Sequence, residues 1–181
     1  MREFIPAFRF LGVFLALYFG LNLIYGFWIS SYQGSADWAT KVVTEQTSFI
    51  VNLFGEQTVT QPKNNSPTVS IIKESKSVIS VFEGCNGINV MIVFVCFLFA
   101  FRGSWKQLAW FFPLGIVIIY FANLLRVSAL YYVAEYWQRY FYYVHKYLFT
   151  ATIYLLVFAL WWWWMEKVSG FSLKKLIAPK E

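Results

Sequence analysis

Four long runs of apolar residues alternate with polar segments along the chain. The runs cover residues of about 10–29, 86–101, 107–125 and 147–165. A helix of about 20 apolar residues spans the roughly 30 Å of hydrocarbon in a bilayer. The pattern therefore predicts an all-α polytopic membrane protein, a single domain over residues 1–181 with about four transmembrane helices. The first run is predicted to be a retained helix, because no small-residue cleavage pattern follows it.

The longer polar segment, residues 30–84, is predicted to lie outside the hydrocarbon on the extracytoplasmic side. Apolar residues at helical spacing predict an amphipathic helix on the outer membrane face. These residues are Ala39, Val42, Val43, Ile50, Leu53 and Phe54. Farther along, Thr68–Ile72 and Ser77–Phe82 are rich in β-branched residues and flank a short polar stretch. This second pattern predicts a β-hairpin.

The shorter polar segment, residues 127–146, is aromatic and amphipathic. Its tyrosines and Trp137 are interrupted by Glu135, Arg139 and Lys146. We expect it to be extracytoplasmic and to lie along or dip into the outer interface. The alternative is that the third helix continues through its first part.

The composition excludes a soluble globule of ordinary kind. Apolar residues make up 59% of the chain and charged residues 13%, about half of the quarter that is usual in soluble domains. The net charge of +6 does not indicate nucleic-acid binding, because most of the Lys and Arg residues flank the apolar runs.

The distribution of these cations predicts the orientation in the membrane. With the N-terminus inside, the cytoplasmic ends carry eight cations: Arg2, Arg9, Arg102, Lys106, Lys167, Lys174, Lys175 and Lys180. The same ends carry only three acids, which are Glu3, Glu166 and Glu181. Positive charge concentrates in short cytoplasmic loops. Both termini are therefore predicted to be cytoplasmic in a multi-pass protein.

The two cysteines have different surroundings. Cys96 lies within an apolar run, which is typical of a structural thiol. Cys85 lies in the polar Glu83–Gly87 stretch, where the second run begins, and a helix N-terminus there favours a thiolate. The two are eleven residues apart, about 16 Å along a helix, which is too far for a disulfide. We therefore predict that Cys85 is a free thiol, unless it pairs with a cysteine of another chain.

Three chemically capable residues are predicted to share one membrane depth. Arg126 is at the outer end of the third predicted helix, and His145 is at the start of the fourth. The predicted topology therefore places both on the same side of the membrane as Cys85. A thiol, an imidazole and a guanidinium together supply the nucleophile, the proton carrier and the oxyanion partner of acyl transfer. The alternative for Arg126 is a snorkelling interfacial cation, and His145 could be bonded to a carbonyl. We expect the cations to lower the pKa of the Cys85 thiol, against the opposing effects of Glu83 and of the apolar interface.

At these residues the chain resembles the exosortase and archaeosortase family of membrane-embedded cysteine enzymes. The resemblance rests on Glu83–Ile88, on Asn123–Val127 and on His145. The short length and four-helix layout look most like exosortase F, the compact form found in Bacteroidetes. The chain departs from the family pattern at two places: Asn86 stands where serine is usual, and Lys146 follows the histidine in place of Asp and Gly.

The resemblance implies a catalytic set of Cys85, Arg126 and His145, with Glu83, Asn86 and Asn123 in support. It implies a transpeptidase or endopeptidase of the bacterial inner membrane with its active site facing the periplasm. The implied substrates are secreted proteins with a C-terminal sorting tail, made of a short motif, a transmembrane helix and a basic cluster. The implied chemistry passes through a thioester at the outer interface. A small neighbouring membrane protein is implied as a partner, beside the lipid bilayer.

Two other functions are weighed against this one. A non-enzymatic assembly or scaffold subunit would bind a partner through the extracytoplasmic segments, with Arg126 and Glu83 as a structural ion pair. A small transporter is disfavoured because the apolar runs carry no charge at mid-depth. The sequence shows no metal-ligand cluster and no phosphate loop, so no cofactor is expected.

Overall fold

The structure is a computed structural model that describes residues 5–101 and 103–168. Several of the residues used in the charge argument lie outside the described residues. They are Arg2, Glu3, Arg102, Lys174, Lys175, Lys180 and Glu181. The predicted orientation of the chain therefore stays a prediction.

Three helical stretches are long and apolar enough to cross a membrane, and they confirm three of the four predicted runs. They are Ile5–Ser30, Trp105–Tyr136 and Gln138–Val168. The remaining run forms a helix over Ile88–Ala100 with only 13 residues, about 20 Å long at 1.5 Å per residue. This helix is shorter than a usual span. A fourth crossing is therefore not confirmed. The other three helical stretches confirm that the chain is a membrane protein.

The helices are labelled in chain order as α1 (Ile5–Ser30), α2 (Trp38–Leu53), α3 (Ile88–Ala100), α4 (Trp105–Tyr136), α5 (Phe141–Tyr143) and α6 (Phe149–Trp163). A π-helical segment, Val144–Leu148, connects α5 to α6. The third predicted run ended at residue 125, whereas α4 continues for 11 residues more, to Tyr136. The alternative of a continuing helix is thus the one observed, and Val127 and Tyr131 of this extension are buried in a cluster with residues of α2 and of a β-sheet.

Helix α2 packs on a three-stranded antiparallel sheet, and we call the two together the outer cap, after the membrane side predicted for residues 30–84. Its strands are β1 (Thr58–Pro62), β2 (Thr68–Lys73) and β3 (Lys76–Phe82), in the order β1-β2-β3. The predicted hairpin is confirmed as β2 and β3. Strand β1 was not predicted from the sequence, and it ends in Pro62. Proline is tolerated there because β1 is an edge strand.

The amphipathic helix is confirmed as α2, but the predicted apolar face is only partly the buried one. Val43 is buried, whereas Leu53 is 68% exposed and Phe54 is 78% exposed. The buried face is formed by Thr40, Val43, Thr44, Thr47, Ser48 and Val51. Helix α2 packs on α4 and on the sheet, and the hydroxyls of Thr44, Thr47 and Ser48 bond to backbone carbonyls of α2 itself or of β1. Close packing therefore selected small side chains over apolar ones.

Two hydrophobic clusters hold the fold together. The first lies among α3, α4 and α6 and includes Phe94, Phe111 and Trp164. The second lies between the outer cap and α4, and it includes Val43, Val51, Ile71, Ile79, Val81, Leu124, Val127 and Tyr131. Cys85 belongs to the second cluster. The predicted nucleophile therefore sits where the outer cap meets the helices.

Candidate functional site

A short turn between β3 and α3 carries the cysteine. Glu83–Cys85 forms a single 3-10 turn, and Gly87 caps the N-terminus of α3 with a φ of 88°. This positive φ favours glycine, and a Cβ at Gly87 would lie 3.1 Å from Cγ of Asn123. The turn therefore fits closely against α4. Both cysteines are free, as predicted.

Helix α4 presents two polar side chains, one turn apart, to this cysteine. Asn123 donates from Nδ2 to the carbonyl oxygen of Cys85 at 2.9 Å. Arg126 donates from Nη2 to the Cys85 Sγ at 3.8 Å and from Nη1 to the Asn123 Oδ1 at 3.3 Å. Arg126, Asn123 and Cys85 thus form one hydrogen-bonded triangle. The structure brings together two of the three residues expected to share a membrane depth.

Burial dominates the electrostatics of the thiol. Cys85 is only 6% exposed. Desolvation raises the pKa of its thiol, and the Arg126 charge and a hydrogen bond to the Phe82 backbone oppose the rise without cancelling it. The expectation of a lowered pKa was therefore wrong. The cations were expected to outweigh desolvation by the apolar interface, but the packed outer cap removes water from the sulfur.

His145 lies near Arg126 without being hydrogen-bonded to the cysteine. It is on the π-helical segment Val144–Leu148, which packs against α4. The charge of Arg126 acts on the imidazole, and the ring stacks on Phe141 with centroids 5.8 Å apart. Its Nδ1 is buried and has no hydrogen-bond partner within the described residues. The imidazole thus has an uncommitted nitrogen beside the Arg126 charge.

The two other supporting residues differ in their surroundings. Asn86 is 1% exposed and bonds to Tyr25, Thr40 and the backbone N–H of Ile88. Glu83 is partly exposed. In the parts of the chain that the structure describes, Glu83 forms no ion pair with Arg126. The structural pair expected for a scaffold is therefore not formed there.

Sequence reasoning missed two polar groups around the site. Asp37 caps α2 and bonds to Thr40, which contacts Asn86. An aspartate just before a helix is a recognisable N-cap signal, but nothing in the sequence pairs it with Asn86.

The second group ties the outer cap to α4. Lys73 bridges Glu56 at 2.8 Å and Glu135 at 3.1 Å. Tyr131 and Tyr136 also donate hydrogen bonds to Glu56. We call these five residues the cap latch. Its partners come from distant segments, so no local pattern indicates it.

The arrangement can support nucleophilic chemistry at sulfur. Arg126 offers a guanidinium to the sulfur and could also hold an oxyanion formed next to it. Asn123 holds the backbone carbonyl of Cys85. Over residues 5–101 and 103–168, no group of three or more His, Cys, Asp or Glu side chains could hold a metal ion.

Comparison with known protein families gives a match over most of the chain. The sequence model of the transmembrane exosortase family (Exosortase_EpsH) matches residues 6–163. Comparisons with curated proteins and with solved structures give no significant match. The family match covers α1 to α6 and the site between them. This chain therefore belongs to the transmembrane exosortase family.

Proposed function

We propose that this protein is a membrane-embedded cysteine transpeptidase or endopeptidase that cleaves secreted proteins near their C-terminus. The observation that carries the proposal is the hydrogen bond from Arg126 Nη2 to Cys85 Sγ, 3.8 Å long, inside a water-poor cluster. A buried thiol beside a fixed guanidinium has the elements of a nucleophile and its charge partner. The family match supports the same reaction type.

In the proposed reaction, the Cys85 sulfur attacks the carbonyl carbon of the scissile peptide bond. Burial raises the pKa of the thiol, so the proton leaves as the sulfur attacks rather than beforehand. His145 is the proposed acceptor of that proton, and Arg126 the proposed partner of the oxyanion. Collapse of the tetrahedral intermediate breaks the C–N bond, and His145 returns the proton to the leaving amine.

The resulting thioester links the substrate carbonyl to Cys85. An amine or a water molecule then attacks this carbonyl, its proton passes through His145 to the sulfur, and the free thiol is restored. Attack by an amine transfers the substrate, and attack by water releases it. His145 needs an uncommitted nitrogen for these steps, and its unpaired Nδ1 supplies one.

The proposed substrates carry a C-terminal tail with a short motif, a transmembrane helix and a basic cluster. A helix with a basic end inserts in one orientation, so its motif would reach the outer interface at the depth of Cys85. We assign the chain to the exosortase F type, in the bacterial inner membrane with both termini cytoplasmic and the site facing the periplasm. A small membrane protein is its proposed partner.

The experiment that tests this function compares the two cysteines. Reporter proteins fused to tails of this design are expressed with wild-type enzyme, with Cys85→Ser and with the matched control Cys96→Ser. We expect Cys85→Ser to abolish cleavage and Cys96→Ser to retain it, because Cys96 is buried within α3 away from the triangle. An acyl-enzyme released by hydroxylamine should form only when Cys85 is present. Cleavage by Cys85→Ser would refute the proposal.

A scaffold protein without catalysis is the second candidate. One observation favours it: the raised pKa and burial of Cys85 are also typical of an inert structural thiol. Under this function, the exposed surface of the outer cap would bind a partner. Retained partner capture, combined with no hydroxylamine-sensitive intermediate in the wild type, would support the scaffold.

A further inference from the structure

We infer that Asp37 and Thr40 are positioning residues for the nucleophile, acting through Asn86. This inference rests on the proposed function, because it concerns how the Cys85 sulfur is held for attack. Both residues lie at the start of α2, and Thr40 precedes Asn86 by 46 positions in the sequence.

Every polar atom of the Asn86 side chain has a partner. The backbone N–H of Ile88 donates to Oδ1 at 2.9 Å. Nδ2 donates to the hydroxyl oxygens of Tyr25 at 3.0 Å and Thr40 at 3.3 Å. Because the Ile88 N–H can only donate, a flipped amide would place two donors against each other. The amide therefore has one orientation, and the Thr40 oxygen must act as an acceptor.

Asp37 fixes the direction of the Thr40 hydroxyl. This hydroxyl has one proton, which it donates to Oδ2 of Asp37. A carboxylate only accepts hydrogen bonds, so it holds the Thr40 proton away from Asn86 and leaves a lone pair facing Nδ2. Asp37 is 2% exposed, so little water competes for these bonds. The polarity of the chain from Asp37 through Thr40 to Asn86 is thereby set at its acidic end.

The second oxygen of Asp37 has a role beyond helix capping. Oδ1 accepts the backbone N–H of Thr40 at 3.0 Å, which is the usual N-cap bond. The cap is complete with that oxygen alone. Oδ2 is the oxygen that bonds the hydroxyl and so extends the cap to the turn that carries Cys85.

The turn is held at consecutive residues from two sides. Asn123 of α4 holds the carbonyl of Cys85, and Thr40 of α2, with Tyr25 of α1, holds Asn86. The Sγ position relative to Arg126 therefore depends on both anchors. Loss of the α2 anchor should let the turn shift and misplace the sulfur, and small misplacements reduce rates strongly.

The test uses three substitutions and a matched control in the Cys96→Ala background, which leaves one thiol. Thr40→Val removes the linking hydroxyl at nearly constant volume, and Thr40→Ser restores it. Asp37→Asn keeps an acceptor for the cap but turns a donor toward Thr40. The control is Thr47→Val, because Thr47 is equally buried on α2 and its hydroxyl bonds only to the Val43 carbonyl of the same helix.

Three quantities are measured for each variant: kcat and KM on the reporter tail, the alkylation rate of Cys85 by N-ethylmaleimide, and the thermal midpoint. For Thr40→Val and Asp37→Asn we expect kcat to fall about tenfold, the equivalent of one buried hydrogen bond of about 1.4 kcal/mol. KM should stay unchanged. Alkylation of Cys85 should become faster, because a turn that can shift exposes its buried sulfur to the reagent. Thr47→Val and Thr40→Ser should behave like the parent.

The effects of Thr40→Val and Asp37→Asn on kcat should also be non-additive, because both substitutions interrupt the same chain of hydrogen bonds. A kcat and alkylation rate for Thr40→Val equal to those of Thr47→Val would overturn the inference, as would a Thr40→Ser variant as impaired as Thr40→Val. Should Thr40→Val fail to fold, Asp37→Asn and Thr40→Ser give the decision. If the parent cleaves no reporter, the proposed function fails on its own, and the alkylation rates still decide the positioning role.

Discussion

Removal of the Asn123 side chain should destabilise the protein and disable the site together. Asn123 is buried, and its amide links the Cys85 carbonyl to the Arg126 guanidinium. In Asn123→Ala both bonds disappear, and a buried carbonyl and a charged group each lose a partner. The carbonyl of Cys85 lies in the buried cluster beneath the outer cap, so little water is there to replace its lost bond.

The size of the effect follows from the two bonds. A neutral bond to a carbonyl contributes about 1 kcal/mol, and a bond to a charged group about 1.5 kcal/mol or more. The free energy of unfolding should therefore fall by about 2.5 kcal/mol. For a chain of this length, that corresponds to a thermal midpoint lower by roughly 5 to 10 °C.

The assay measures the thermal midpoint in detergent and kcat on the reporter tail. The matched control is Ser128→Ala on the same helix, because Ser128 is buried and its hydroxyl has no hydrogen-bond partner among the described residues. We expect Ser128→Ala to change neither quantity appreciably. A midpoint for Asn123→Ala equal to that of Ser128→Ala would refute the reasoning that the amide anchors the nucleophile.

Three further outcomes are expected. In Arg126→Ala, the pKa read from Cys85 alkylation against pH should rise further above its ordinary value, because the lost cation favoured the thiolate; a fall would contradict the assigned contact. The hydrogen bond with Lys73, and to a smaller extent that with Tyr136, lowers the pKa of Glu56. This carboxylate should therefore stabilise the fold above about pH 4.3, and the stabilisation should be lost as the pH falls through the lowered pKa. Lys73→Met should flatten this dependence of the thermal midpoint, whereas Lys76→Met, at the exposed start of β3, should keep it; identical curves would argue against the cap latch. Finally, Lys76→Cys should react with a membrane-impermeant maleimide in intact cells, and labelling only after permeabilisation would reverse the proposed orientation.

The apolar runs made most of the membrane architecture predictable. Their length and lack of charge indicated α1, α4 and the last helical stretch, because the bilayer imposes a minimum apolar length on any crossing helix. The hairpin of β2 and β3 was predictable because β-branched residues flank a polar turn. The length of α3 was overestimated, since Asn86 and Gly87 were counted in the apolar run. These two residues instead form the turn that precedes α3.

The sequence also indicated which residues could meet. Cys85 and Arg126 lie next to the ends of apolar runs, and topology restricts such ends to one of two membrane sides. This restriction alone was enough to predict that they share a depth. It could not predict that Asn123 would contact both residues. The contacts of Asn123 with the Cys85 carbonyl and the Arg126 guanidinium depend on the rotation of α4 about its axis.

Only the tertiary structure decided the environment of the thiol. Local sequence around Cys85 shows a helix start and nearby charges, which favour a low pKa, whereas the packed outer cap removes water and raises it. The Thr40 anchor is 46 positions from Asn86, and the Lys73 bridge is 62 positions from Glu135. Sequence patterns report local propensity and membrane depth, but desolvation and pairing across such separations arise only when distant segments pack together.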